Sequence, residues 1–233
     1  MHVTNGLAIC LSAISKDKLE ELARNELVNI RTSCNETALH LAAENDHTEL
    51  LECVLPNVSQ KERLKLLKFQ STTGLTPLHY AAKSGSGYLM QVMLYSVDPE
   101  QRENILELKD RDGLTVLHYL SYNSNVEGID CVLTYVTQLE RIALLSQYDK
   151  QGRTPIHNAI WGSDSRTIEH ILSKLPVNKK LEVLKLPDKD GNTVLHCAAI
   201  AGSVGKIKAI LNPLVMRDKI ALLVLTNAEG CTA

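Results

Sequence analysis

Eight histidines and six cysteines stand in a chain of 233 residues that holds a single Trp and a single Phe. Side chains of these types can ligate a metal, act as a general base or attack as a nucleophile, provided the fold brings them together. The cysteines (Cys10, Cys34, Cys53, Cys131, Cys197 and Cys231) never come closer than 19 residues, so there is no C-x-x-C pair. They read as scattered, reduced thiols, which places the chain in the cytoplasm. Five histidines, His40, His79, His118, His157 and His196, each end a T-x-x-H stretch, whereas His2, His47 and His170 are isolated. If the five stack in successive layers they lie roughly 8 to 10 Å apart, too far for two layers to share an ion with ligands at about 2 Å. Their expected role is to bond back across a first helical turn, since a buried polar group must be paired.

Other chemistry finds little support. G-x-S-x-G, H-E-x-x-H and dinucleotide-binding glycine patterns are absent. "GSVGK" at 202–206 imitates the end of a phosphate-binding loop. Ile200, however, occupies its first glycine position, Ile207 stands where a Ser or Thr should hold magnesium, and no strand precedes it. Net charge is −2, so the basic surface of a nucleic-acid binder is missing. "GLAICLSAI" near the start lacks a preceding Lys or Arg and reads as a packing helix rather than a secretory signal. No stretch approaches the ~18 apolar residues of a membrane span. No enzyme, cofactor or metal is expected.

The elements that must position these residues emerge from an internal repeat. "TALHLAA" begins at Thr37, "TPLHYAA" at Thr76, "TVLHYLS" at Thr115, "TPIHNAI" at Thr154 and "TVLHCAA" at Thr193, each 39 residues after the last. A glycine lies two residues before each following Thr, at Gly74, Gly113, Gly152, Gly191 and Gly230. Thr is a good N-cap and Pro77 and Pro155 suit a first helical position, so helix A starts there. Small pairs such as Ala42-Ala43 and Ala81-Ala82 let neighbouring helices approach closely. Helix B follows with apolar residues at one-turn spacing, as in "LLECVL" and "IEHIL". A basic residue at one offset (Arg63, Arg102, Arg141, Lys180, Lys219), with an apolar pair three and four residues on, predicts a short third helix. Those cations are expected to be solvated or to pair with acids such as Asp110 and Asp149, rather than to form an anion-binding stripe.

T-x-[LI]-H preceded by D-x-x-G turns ("DRDG", "DKQG", "DKDG") resembles the ankyrin repeat, in a long form, the usual unit being about 33 residues. The resemblance implies an all-α ankyrin-type α-solenoid of five repeats, 37–75, 76–114, 115–153, 154–192 and 193–231. Each is expected to have helix-turn-helix, a short extra helix and a finger turn. Residues 1–36 would be a degenerate N-terminal repeat or cap, with Arg24 in phase. Residues 232–233 would open a further repeat, "IALLVL" being left unshielded, so the parent chain is expected to continue past Ala233 with further repeats or domains.

In such arrays partners dock on the concave face formed by the turns and the exposed ends of helix A. Carried onto this sequence, the face takes in Arg111, Asp112, Lys150 and Arg153 from the turns. Lys83, Tyr122, Asn123 and Trp161 follow the small pair of helix A. Tyr80 and Tyr119 lie three residues earlier, where filling space between helices is the competing role. These offsets share no common residue type, so stacking does not dictate them, and aromatic residues with Arg are what binding hot spots favour. The expected function is non-catalytic recognition of a partner protein or peptide, with no nucleic acid and no membrane insertion. The alternatives are a spacer array, or the substrate-binding part of a larger enzyme or effector whose catalytic domain lies elsewhere. An effector of an intracellular bacterium would work in the host cytoplasm.

Overall fold

The computed structural model describes residues 30–233, so the expected terminal cap and the in-phase Arg24 lie outside the described residues. Among the described residues there are fifteen α-helices and no strand, only an isolated antiparallel bridge between Thr226 and Thr232. No described helix is long and apolar enough to cross a membrane. The helices recur in threes at the sequence period. In chain order they are α1 (Ala38–Glu44), α2 (Thr48–Asn57), α3 (Gln60–Lys68), α4 (Pro77–Ser84), α5 (Gly87–Tyr95) and α6 (Pro99–Leu106). These are followed by α7 (Val116–Tyr122), α8 (Val126–Thr134), α9 (Gln138–Leu145), α10 (Pro155–Trp161), α11 (Arg166–Ser173) and α12 (Val177–Leu184). The last three are α13 (Val194–Ile200), α14 (Val204–Leu211) and α15 (Met216–Leu223).

Two compact units, Met1–Arg111 and Asp112–Ala233, divide the chain. In the first, α1 packs on α4, α2 on α5 and α3 on α6. In the second, α7, α10 and α13 pack in succession, as do α8, α11 and α14, and α9, α12 and α15. Like therefore stacks on like. The core is the apolar stripe predicted for each second helix together with the pair on each third helix. Leu89, Met90, Met93, Leu94, Ile105 and Leu106 are buried in the first unit, and Ile129, Val132, Leu133, Ile168, Ile171 and Leu172 in the second. Each large side chain so buried stabilises the fold by about 1.5 to 3 kcal/mol. In the fifth repeat Leu223 is 42 % exposed, whereas Leu184, at the same offset one repeat earlier, is fully buried.

The finger turns interlock through the main chain. Arg111 N–H donates to the Thr73 carbonyl at 3.0 Å in the first unit, and Lys150 to Asp112 at 2.8 Å and Lys189 to Gln151 at 3.1 Å in the second. The glycine of each finger permits this approach. At Gly152 φ is +74°, and a Cβ would stand 2.7 Å from the Lys189 nitrogen, so both conformation and space exclude a side chain.

The basic column behaves differently from its expectation. Arg63 donates to the Ser96 carbonyl at 2.6 Å and to the Val58 carbonyl at 3.1 Å, while Arg141 donates to Lys174 at 3.3 Å and Val136 at 3.4 Å. Arg102 reaches the Leu94 carbonyl at 2.9 Å. Asp149 instead pairs with Arg153. The reason is geometric: second helices end with unpaired carbonyls, and a forked guanidinium on the adjoining third helix serves two of them at once. Arg63 and Arg141 thereby bridge one repeat to the next.

Candidate partner-binding groove

The site is built on the first helices of the second unit. Thr154 caps α10 in extended backbone, Pro155 occupies the first turn, and Thr154 and His157 form a reciprocal capping box. His157 Nδ1 accepts from Thr154 N–H at 3.2 Å and lies 2.8 Å from its Oγ1, and Nε2 is 3.2 Å from the Asn192 carbonyl. A main-chain N–H can only donate, so Nδ1 is an acceptor and the proton sits on Nε2, which donates to Asn192. The same bonds recur at His40, His118 and His196, toward Leu75, Arg153 and Cys231. Burial accordingly lowers the His157 pKa, and lowers that of His40 to about 4. These rings tie the start of each first helix to the last residue of the same repeat, beyond the bond across the first turn that the T-x-x-H pattern implied.

Thiol chemistry is likewise suppressed at two of the cysteines. Burial pushes Cys131 up to about 11 and Cys197 up to about 12, so both stay protonated at neutral pH.

With its start fixed, α10 runs seven residues and delivers Trp161 to its exposed end. The chain then turns at buried Gly162, whose backbone is extended (φ −69°, ψ 170°). A Cβ there would come within 2.7 Å of Ser124 Oγ and 2.8 Å of the Tyr122 carbonyl, and Asp164 N–H donates to Ser124 Oγ at 3.2 Å. The turn after Trp161 thus rests directly on the turn after Tyr122. Both aromatic rings stay in solvent, Tyr122 at 56 % and Trp161 at 47 % exposure, in the column that holds exposed Glu44, Lys83 and Ile200 in the other repeats.

Beside them lies a groove of about 480 Å³ that joins five of the expected residues: Asp112, Tyr119, Tyr122, Arg153 and Trp161. Arg153 forms one wall, its Nε 3.5 Å from Asp149 Oδ2, while Asp149 Oδ1 accepts from the Gln151 and Arg153 N–H groups, both at 2.8 Å. That buried carboxylate fixes the finger and offsets the charge of the arginine. Lys150 and Asn123 are exposed on the same unit but do not line the groove.

Lys83, Arg111 and Tyr80 belong to the first unit and are not part of this groove. Lys83 and Arg111 are exposed, with Lys83 Nζ 5.7 Å from the centre of the Tyr80 ring. Tyr80 is buried at 7 % exposure and its hydroxyl donates to Glu36, which together with desolvation raises the phenol pKa. It fills space against the His40 ring, 5.3 Å away edge to face, so its ring is not available as a surface anchor.

The finger-turn residue Gln151 also lines the groove, as does Asn158, which the sequence reading does not single out. Asn158 takes the offset that carries Leu41, Tyr80, Tyr119 and Cys197 elsewhere, and its polarity in an otherwise apolar or aromatic column was the available signal. Ile200, 67 % exposed, extends the Tyr122 and Trp161 column.

Residues 7–103 match the family model for ankyrin repeats, in three copies. A search of the curated proteins finds no match. The repeats beyond residue 103 keep the same Thr caps, the same His bonds and the same finger ladder. Residues 7–103 are thus similar to ankyrin repeats, and the later repeats continue the same pattern.

Proposed function

We propose that this chain is a non-catalytic recognition module that binds a partner protein or peptide at the Tyr122–Trp161 groove, on the face formed by finger turns and the exposed ends of first helices. Ankyrin repeats generally serve protein–protein interaction, and the observation that carries the finer reading is the groove itself. Two exposed aromatic rings, a fixed Arg153 and a buried Asn158 meet at offsets that stacking leaves free. Large rigid rings beside Arg supply contact area at small entropic cost, and a scaffold locked by finger and His bonds has little more to lose on binding. Lys150 and Asn123 form the rim. Lys83 and Arg111 occupy the matching offsets of the first unit. Such a module works in the cytoplasm, takes no cofactor and turns over no substrate.

The test is capture of partners by the wild-type chain and by Trp161→Ala/Tyr122→Ala. Loss of specific partners at unchanged melting temperature supports the reading, with Tyr88→Ala, exposed on α5 of the first unit, as control. An unchanged partner set refutes it and favours a spacer array.

A further inference from the structure

We infer that Lys206 is a positioning residue for Trp161, an inference that rests on the groove reading for its significance but not for its test. Lys206 lies in α14 of the fifth repeat, and its Nζ donates back into the fourth repeat, to the Gly162 carbonyl at 2.8 Å and to the Ile160 carbonyl. These carbonyls flank Trp161 on both sides. Helix α10 stops at Trp161, the offset at which α1, α7 and α13 also stop, but passes directly into an extended Gly162, whereas Gly85 after α4 is left-handed and Asn123 and Ala201 after α7 and α13 are right-handed helical. The abrupt change to extended backbone leaves terminal carbonyls of α10 needing donors from outside the helix. An ammonium at a helix C-terminus satisfies them and opposes the negative end of the helix dipole.

The other repeats place Leu50, Leu89, Gly128 and Thr167 at the Lys206 offset, so stacking does not call for a cation there. The cation occurs in the repeat that packs on α10, through α13. It also explains "GSVGK": its lysine binds main-chain carbonyls of a neighbouring repeat rather than a phosphate. With Gly162 seated on the Tyr122 turn, Lys206 clamps the Trp161 turn from the opposite neighbour, so that repeats three and five together hold the ring of repeat four.

Trp161 is the only tryptophan of the chain, so its fluorescence reads the clamp without any partner. In Lys206→Met the Trp161 anisotropy is expected to fall and quenching by acrylamide to rise, with far-UV circular dichroism unchanged. Lys206→Arg, which restores a donor to carbonyls, is expected to recover both. A merely structural lysine would lower the melting temperature of Lys206→Met and leave anisotropy and quenching as in wild type, and that result overturns the inference. Should Lys206→Met fail to fold, Lys206→Gln decides: an intermediate anisotropy supports the clamp, and wild-type values refute it. Because no partner is involved, a changed Trp161 signal with undiminished partner capture would sink the binding reading and leave the clamp standing.

Discussion

His157 and Trp161 lie four residues apart in one helix, yet they answer to different demands. His157 is buried and spends both ring nitrogens on the main chain, at Thr154 and Asn192. Removing it strands a buried N–H and a carbonyl, so His157→Ala is expected to cost about 2 to 3 kcal/mol in urea unfolding. Tyr122→Ala, at an exposed position, is expected to stay within about 0.5 kcal/mol. The division was legible in sequence because recurrence at a fixed offset separates what every repeat needs from what one repeat adds. Tyr80 shows where that legibility ends. An aromatic residue at its offset is open in both directions, and only the position of Glu36 and the His40 ring sends the Tyr80 ring inward. Asn158 is legible as a polar residue in an apolar or aromatic column, but the gap beside it is created by its neighbours.

Individual helices were predicted by period and capping chemistry, the third helix of each repeat included. Its function was not. A basic residue at a constant offset looks like a solvated charge in one dimension, because the carbonyls it serves belong to other helices: Ser96 and Val58 for Arg63, Lys174 and Val136 for Arg141. Arg141→Met keeps the stem and removes those donors. Its expected cost is about 1.5 to 3 kcal/mol, the range for hydrogen bonds to a charged group, read from the shift in urea midpoint against wild type. The junction between α10 and α11 makes a second prediction. A Cβ at Gly162 meets main chain at Tyr122 and Ser121, at 2.8 and 3.0 Å, which cannot move as a side-chain tip can. Gly162→Ala is therefore expected to destabilise by about 1 to 3 kcal/mol and to alter the Trp161 emission, whereas Gly202→Ala, strained by its φ of +63° but with open space around its Cβ position, is expected to destabilise without altering that emission.

Across the whole molecule, the histidine columns give the fold a dependence on pH. His40 in the first unit falls from 6.5 to about 4 on folding, and His157 in the second moves the same way. Above pH about 6.5 both folded and unfolded chains carry neutral rings, and the stabilisation is complete. Between there and about pH 4 the unfolded chain binds protons that the folded one refuses, so stability falls as acid is added. For His40 alone the full loss is about 3 kcal/mol. Thermal melts at about pH 7.5 and about pH 5 check this, and His40→Gln is expected to flatten the difference.

The central claim is that the Tyr122–Trp161 groove is where this repeat array meets its partner. The most direct measurement compares the proteins captured by wild type and by Trp161→Ala/Tyr122→Ala at matched melting temperature. The account predicts that specific partners disappear with the two rings while Tyr88→Ala retains them; a partner set identical in all three chains would contradict it.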